Sequence, residues 1–315
     1  MTDFEGRKAR KITRDLIISS TTLPKTRQES LDHYISHITH LHLQGKRIRK
    51  IENLEHCVGL KVLYLYDNNI RKIENLNFAK ALQYLYLENN EISEIPPMCH
   101  PRLKKLFIDD NSVDCLKGLE ECTHIEEITI AHQKLPKYHS LTFDAATLDA
   151  IRHSLLSLDI SGNGITTLSP LGVLYKLRKL IACDNNIADI GEAEGIVSLP
   201  ELAEANFLRN PCCAIRKYRD YVIASASDSL RSLDDVVVTQ QHIVAIRGLQ
   251  SLRRKIGLVG GRSLNQNDER MEFGSRDEDL QNPFEVNAST DHDEHSVASS
   301  NGPNTVQAEV VIENF

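Results

Sequence analysis

Tyr64, Tyr66, Tyr84, Tyr86 and Phe107 are five of the seventeen Tyr and Phe in this 315-residue chain. They sit in Tyr64-Leu65-Tyr66, Tyr84-Leu85-Tyr86 and Leu106-Phe107, so on strands the rings share one face while the leucines take the other. Glu88 and Asp109 lie two residues beyond Tyr86 and Phe107, on the ring side. Rings and carboxylates in this pattern break no bond. They offer wide amphipathic contact area and charge, the chemistry of recognising a protein partner. Aromatics also stack across strands with no ligand present, but five crowded into three neighbouring segments form a cluster.

Other chemistries are poorly represented. There is no Gly-rich phosphate loop, no nucleophile elbow and no His/Asp/Glu constellation for acid–base work, so the chain reads as a non-enzyme without a cofactor. His33, His37, His40 and His42 come close together, yet no Cys or carboxylate stands at ligand spacing beside them, and no metal site is expected.

The positioning element is a repeat. Leu60, Leu63, Leu65, Asn68 and Ile70 recur 22 residues later as Leu82, Leu85, Leu87, Asn90 and Ile92, and 22 residues earlier as Ile38, Leu41, Leu43, Lys46 and Ile48. That is the frame of a leucine-rich repeat. Each unit supplies a short strand with one apolar face and cannot bury it alone, so units stack into a right-handed α/β solenoid with a parallel sheet on its concave side, the usual binding surface. Repeats begin at Ile38, Leu60, Leu82, Leu103, Ile125, Leu155, Leu177 and Leu202. Six carry Asn at the ninth position, while Lys46 and Gln133 depart from it, which predicts the weakest ladder hydrogen bonding in the first and fifth turns.

Around the array, residues 1–25 read as a flexible N-terminus and 26–37 as a capping helix with Ser30 as its N-cap. The array spans 38–210 with an insertion at 136–154, in which Asp144 to His153 is predicted to be a capped helix with Leu148 and Ile151 inward. Residues 211–259 should form a C-terminal cap followed by a helix over 235–256, and 260–315 a disordered acidic tail. The tail segment 261–315 holds three Arg and twelve Asp or Glu, a net −9, against 34 basic and 32 acidic residues in 1–260, so the net charge of −7 comes from the tail.

Seven cysteines, an odd number with no Cys-x-x-Cys pair, suit a reducing compartment. Met1 to Lys11 is charged, Leu16 to Ile18 is far too short for the apolar core of a signal peptide, and nothing is long enough to span a bilayer, so a soluble, intracellular monomer is expected. Over positions 3, 5, 7 and 8 of all repeats, Asp67, Glu88, Asp109, Asp110, Glu127, Asp159, Asp184 and Glu204 oppose only Lys105, Lys179 and Arg209. A face that acidic disfavours a nucleic-acid partner.

The Leu-Tyr-Leu-Tyr-Asp-Asn-Asn-Ile of 63–70 and the Leu-Tyr-Leu-Glu-Asn-Asn of 85–90 resemble protein phosphatase 1 regulatory leucine-rich-repeat proteins. The fifth repeat, with Gln133-Lys-Leu-Pro, Leu141-Thr-Phe-Asp144 and Leu158-Asp-Ile-Ser-Gly-Asn163, carries the resemblance further, and its extent is about Thr26 to Asp234. The resemblance implies a regulatory subunit that binds the phosphatase catalytic subunit in the cytoplasm and cytoskeleton, at the microtubule-organising centre or centrosome and the cilium. One departure is plain. No Arg/Lys-Val/Ile-x-Phe/Trp docking peptide lies outside the repeats, and Lys61-Val62-Leu63-Tyr64 falls within a core strand, so docking would use the concave face. The alternatives are a ciliary or centrosomal scaffold that binds tubulin or axonemal proteins, and an RNA-associated repeat protein, which the acidic face disfavours.

Overall fold

A computed structural model describes residues 9–24 and 30–259, with the side chains of the last helix as far as Leu252. The predicted tail at 260–315 and the start of the predicted first helix at 26–29 lie outside the described residues.

The chain enters through α1 (Arg14–Ser19), capped by the Thr13 hydroxyl, which accepts from the Leu16 amide at 3.2 Å. Ile12, Leu16 and Ile17 are at most 3% exposed. Arg10 bridges to Ile48, and the Asn53 side chain donates to the Ile12 carbonyl at 2.7 Å. The expectation of a flexible N-terminus is therefore corrected for residues 9–24. An exposed end of a solenoid needs an apolar cover, and the short Leu16 to Ile18 run supplies one. Helix α2 (Leu31–Ser36) follows with Ser30 as its N-cap and buries Tyr34 and Ile35.

The strands β1 (His40–His42), β2 (Val62–Tyr64), β3 (Tyr84–Tyr86) and β4 (Lys105–Phe107) are parallel neighbours in one sheet. At Asn111 the chain leaves that sheet for β5 (Cys115–Leu116), rejoins it as β6 (Glu127–Thr129), then makes β7 (Thr142–Phe143) and α3 (Ala145–Ile151). The main sheet goes on through β8 (Ser157–Asp159) and β9 (Lys179–Ile181). After α4 (Ile190–Val197) comes β10 (Glu204–Asn206). In register, Leu41, Leu63, Leu85, Leu106, Ile128, Leu158, Leu180 and Ala205 form one buried row. Positions 1, 4, 6 and 11 of the second and third repeats are completely buried. A second set at three-residue spacing, Ile51, Leu54 and Cys57, then Ile73, Leu76 and Ala79, then Leu116, Leu119 and Cys122, closes the core from the convex side. About eleven residues separate consecutive inner turns there, too few for long helices, and the connections are mostly irregular.

The ladder is continuous. The Asn90 side chain donates to the carbonyls of Leu65, Leu87 and Glu88 and accepts from the Ile70 amide. Asn68, Asn111, Asn163, Asn185 and Asn210 make equivalent sets. The predicted weakness of the fifth turn is corrected. Gln133 reaches the same groups with its longer amide, donating to Ile108 and Ala131 and accepting from Val113. In the first turn Lys46 contributes no side chain to the ladder, and Asn68 of the next turn accepts from the Lys46 and Ile48 amides instead.

The residue just before each ladder position is left-handed. Asp67, Asn89, Asp110, His132, Asp184 and Arg209 have φ between 51° and 62°, and Gly45 and Gly162 fill the same place in the first and sixth repeats. Short polar side chains and Gly tolerate that conformation best. At Gly162 the space is also closed, since a Cβ would lie 2.2 Å from the His132 ring.

The insertion is ordered. β7 pairs in parallel with β5 outside the main sheet, and α3 is N-capped by Asp144, with Leu148 and Ile151 buried as its spacing predicts. Beyond the array, α5 (Tyr218–Ser225) precedes β11 (Ser232–Leu233), which joins the sheet in parallel beside β10, and β12 (Val236–Val237) turns back antiparallel to it. The last helix, α6 (Gln240–Val259), starts later than predicted because 232–237 forms this hairpin.

Candidate functional site

Position 5 of successive repeats carries His42, Tyr64, Tyr86, Phe107 and Thr129, placed side by side by the register of β1, β2, β3, β4 and β6. The four rings stack. Centroids are 4.6 Å apart from His42 to Tyr64, 4.8 Å from Tyr64 to Tyr86 and 4.7 Å from Tyr86 to Phe107, with planes within 20° of parallel. Near-parallel rings at such spacing are offset, which leaves part of each ring open. All four are half-buried, over a row of leucines that is fully buried.

The predicted trio of Tyr64, Tyr86 and Phe107 is thus continuous, and His42 heads it. The sequence groups His42 with His33, His37 and His40, a cluster from which no metal site is expected. The position of His42 one repeat before Tyr64 was the signal for its true neighbour. Among the described residues no three His, Cys, Asp or Glu side chains converge on a metal position. Burial, helped by His40 and Lys46, lowers the His42 pKa, which favours the neutral ring. Tyr84 and Tyr66 lie on the same face in flanking rows, half-buried, and join no ring stack among the described residues.

The carboxylates form the next row. Backbone pairing of Asp67 with Glu88 and of Asn89 with Asp109 sets Tyr66, Glu88 and Asp109 in line at position 7. Asp109 accepts from the Thr129 hydroxyl at 2.7 Å and from the Ala131 amide at 2.6 Å. Burial nevertheless pushes its pKa up. Glu88 has less support, and its Oε2 is sealed from solvent with no hydrogen-bond partner among the described residues. Burial, opposed in part by backbone hydrogen bonds of its own turn and reinforced by Asp109 and Asp67, pushes its pKa up to about 7. Burial, then Tyr64 and Glu88, pushes the Tyr86 phenol up to about 12. The hydroxyl therefore remains a donor at any physiological pH.

The geometry defines a leucine-rich repeat solenoid with a ring row and an acidic row side by side on its concave sheet. A family match and curated relatives agree at that level. The Leucine Rich Repeat family matches residues 81–101, the third repeat, with β3 near its start. The chain is similar to leucine-rich repeat-containing protein 36 of Mus musculus, 32% identical over 138 residues, and of Homo sapiens, 32% identical over 126. These matches cover 41% and 39% of this chain and only 17% and 16% of those proteins. Among solved structures, an internalin (inlF) of Listeria monocytogenes aligns over 66% of this chain and 64% of its own, at 19% identity and a TM-score of 0.44. An internalin C2 of the same organism aligns over 64% and 88%, at 19% and 0.46.

Proposed function

We propose that this chain is a non-catalytic protein-binding subunit that docks its partner on the ring row of the concave face, and that the partner is the catalytic subunit of protein phosphatase 1. The observation that carries the docking reading is the stack of His42, Tyr64, Tyr86 and Phe107. It is a half-exposed aromatic strip on a rigid sheet, flanked by Glu88 and Asp109, and aromatic anchors with little conformational freedom are what interface hot spots are made of. The choice of phosphatase rests on the resemblance of the repeats, and it places the complex at the centrosome, cilium and microtubule cytoskeleton.

One observation favours a second reading, a ciliary or centrosomal scaffold that binds tubulin or axonemal proteins. The nearest approach to a phosphatase-docking peptide, Lys61 to Tyr64, lies in β2 with Val62 and Leu63 buried. It cannot leave the sheet to bind in an extended groove. Titration of the full chain against the purified catalytic subunit separates the two. Binding that fails in Y64A/Y86A supports the phosphatase reading, and no binding by the wild type, with binding to purified tubulin instead, supports the scaffold.

A further inference from the structure

Each basic side chain on the strand face is already matched to a carboxylate of a neighbouring strand. Lys105 Nζ lies 2.7 Å from Glu127, Lys179 Nζ 3.4 Å from Glu204, and the Arg209 guanidinium forks onto Asp184. Asp67, Glu88, Asp109, Asp110 and Asp159 are left with no basic partner among the described residues. Most of these have a reason internal to the fold. Asp67 and Asp110 occupy left-handed turns that want a short polar residue, Asp109 accepts from Thr129 and Ala131, and Asp159 accepts from the Ser161 amide.

Glu88 has the least support, only backbone hydrogen bonds of its own turn. Its backbone is not left-handed, it sits between Asp67 of the turn before and Asp109 of the turn after, and its Oε2 is covered without a donor. A partly covered carboxylate among like charges is unfavourable in the free chain, and because Glu88 is only half-buried, a charged donor brought from outside to its open part offsets the cost. Tyr86, two residues back on the same face, is close enough for Glu88 to act on its phenol, and a ring there suits the apolar stem of a long basic side chain.

We infer that Glu88 is the seat of a lysine or arginine carried by the docked partner segment, with Tyr66 and Asp109 flanking the cation and the stem lying along Tyr64 and Tyr86. The inference rests on the concave-face reading but not on which protein the partner is.

The probe is a random peptide library displayed on phage and selected on the full chain, with counter-selection on the Y64A/Y86A chain. Selected peptides should share a basic residue at a fixed position. Replacing it by norleucine in a synthetic peptide should weaken binding by about tenfold or more, and E88Q should cause a loss of the same size that is not added to it. A bound cation favours ionised Glu88, so affinity should rise between about pH 6 and 8 in the wild type, and E88Q should lose most of that rise, keeping only the part that Asp109 contributes. Ring-dependent peptides with no preferred basic residue, or with binding indifferent to E88Q, would overturn the Glu88 assignment and leave the concave face standing. Recovery of no ring-dependent peptide would remove the concave-face reading and this inference with it.

Discussion

The rings of Tyr64 and Tyr86 lie 4.8 Å apart on adjacent strands, 20° from parallel, while Leu63 and Leu85 of the same two strands are completely buried. Alternation along the strand thus separates a face that holds the fold from a face that is free to recognise. Substitutions on the ring face should weaken binding while leaving the chain folded.

The double variant Y64A/Y86A is the direct case. Loss of two adjacent anchors should weaken binding to the phosphatase catalytic subunit by about 2 kcal/mol or more. The chain should remain folded, with a stability loss of about 1–3 kcal/mol from the broken ring pairs. Y64F/Y86F keeps the stack and removes only the hydroxyls, so calorimetric titration of the two variants together divides ring contact from hydrogen bonding.

Asn90 and Lys46 occupy the same repeat position with opposite consequences. Asn90→Ala leaves the Ile70 amide without its acceptor and takes one of two donors from the carbonyls of Leu65, Leu87 and Glu88, and should cost about 2 kcal/mol in chemical denaturation. Lys46→Ala removes no ladder bond and should stay within about 0.5 kcal/mol of the wild type. Gln133→Ala should resemble Asn90→Ala, because its amide does the same work.

The pH dependence of stability follows from Glu88. Its pKa in the folded chain, about 7, lies above the ordinary 4.5, so the folded state binds the proton more tightly than the unfolded one. Its cost is absent below about pH 4.5, grows as pH rises towards 7 and is complete above it. Because the group is partly open to solvent, the cost is on the order of 1–2 kcal/mol. E88Q should raise the melting temperature at pH 8 and leave it nearly unchanged at pH 4. Asp109, also raised by burial, adds a trend of the same sign that E88Q leaves in place.

The N-terminal segment should be indispensable to the array. Deleting residues 1–20 uncovers the first repeat and removes the burial of Ile12, Leu16 and Ile17, each worth about 1.5–3 kcal/mol. Thermal scanning should show a drop of many degrees and light scattering should show association. An unchanged melting temperature would mean that the segment merely lies against the surface.

The 22-residue period by itself determined the fold class, the strand positions from Leu41 to Leu180, the Asn ladder and the shared face of Tyr64, Tyr86 and Phe107. These follow from local rules, since alternation on a strand and a repeat length together fix which side chains become neighbours. The tertiary structure decided the rest. Residues 9–20 look like a loose terminus because a short apolar run has no meaning until a solenoid end needs covering. Gln133 looks like a break in the ladder because the reach of its amide matters only once Ile108 and Val113 are in place. His42 becomes the first ring of the stack only when β1 is set beside β2. The isolation of Glu88 was likewise invisible in the sequence. Which carboxylates are matched, as Glu127 is by Lys105, and which are left covered without a donor, depends on cross-strand distances that no spacing along the chain records.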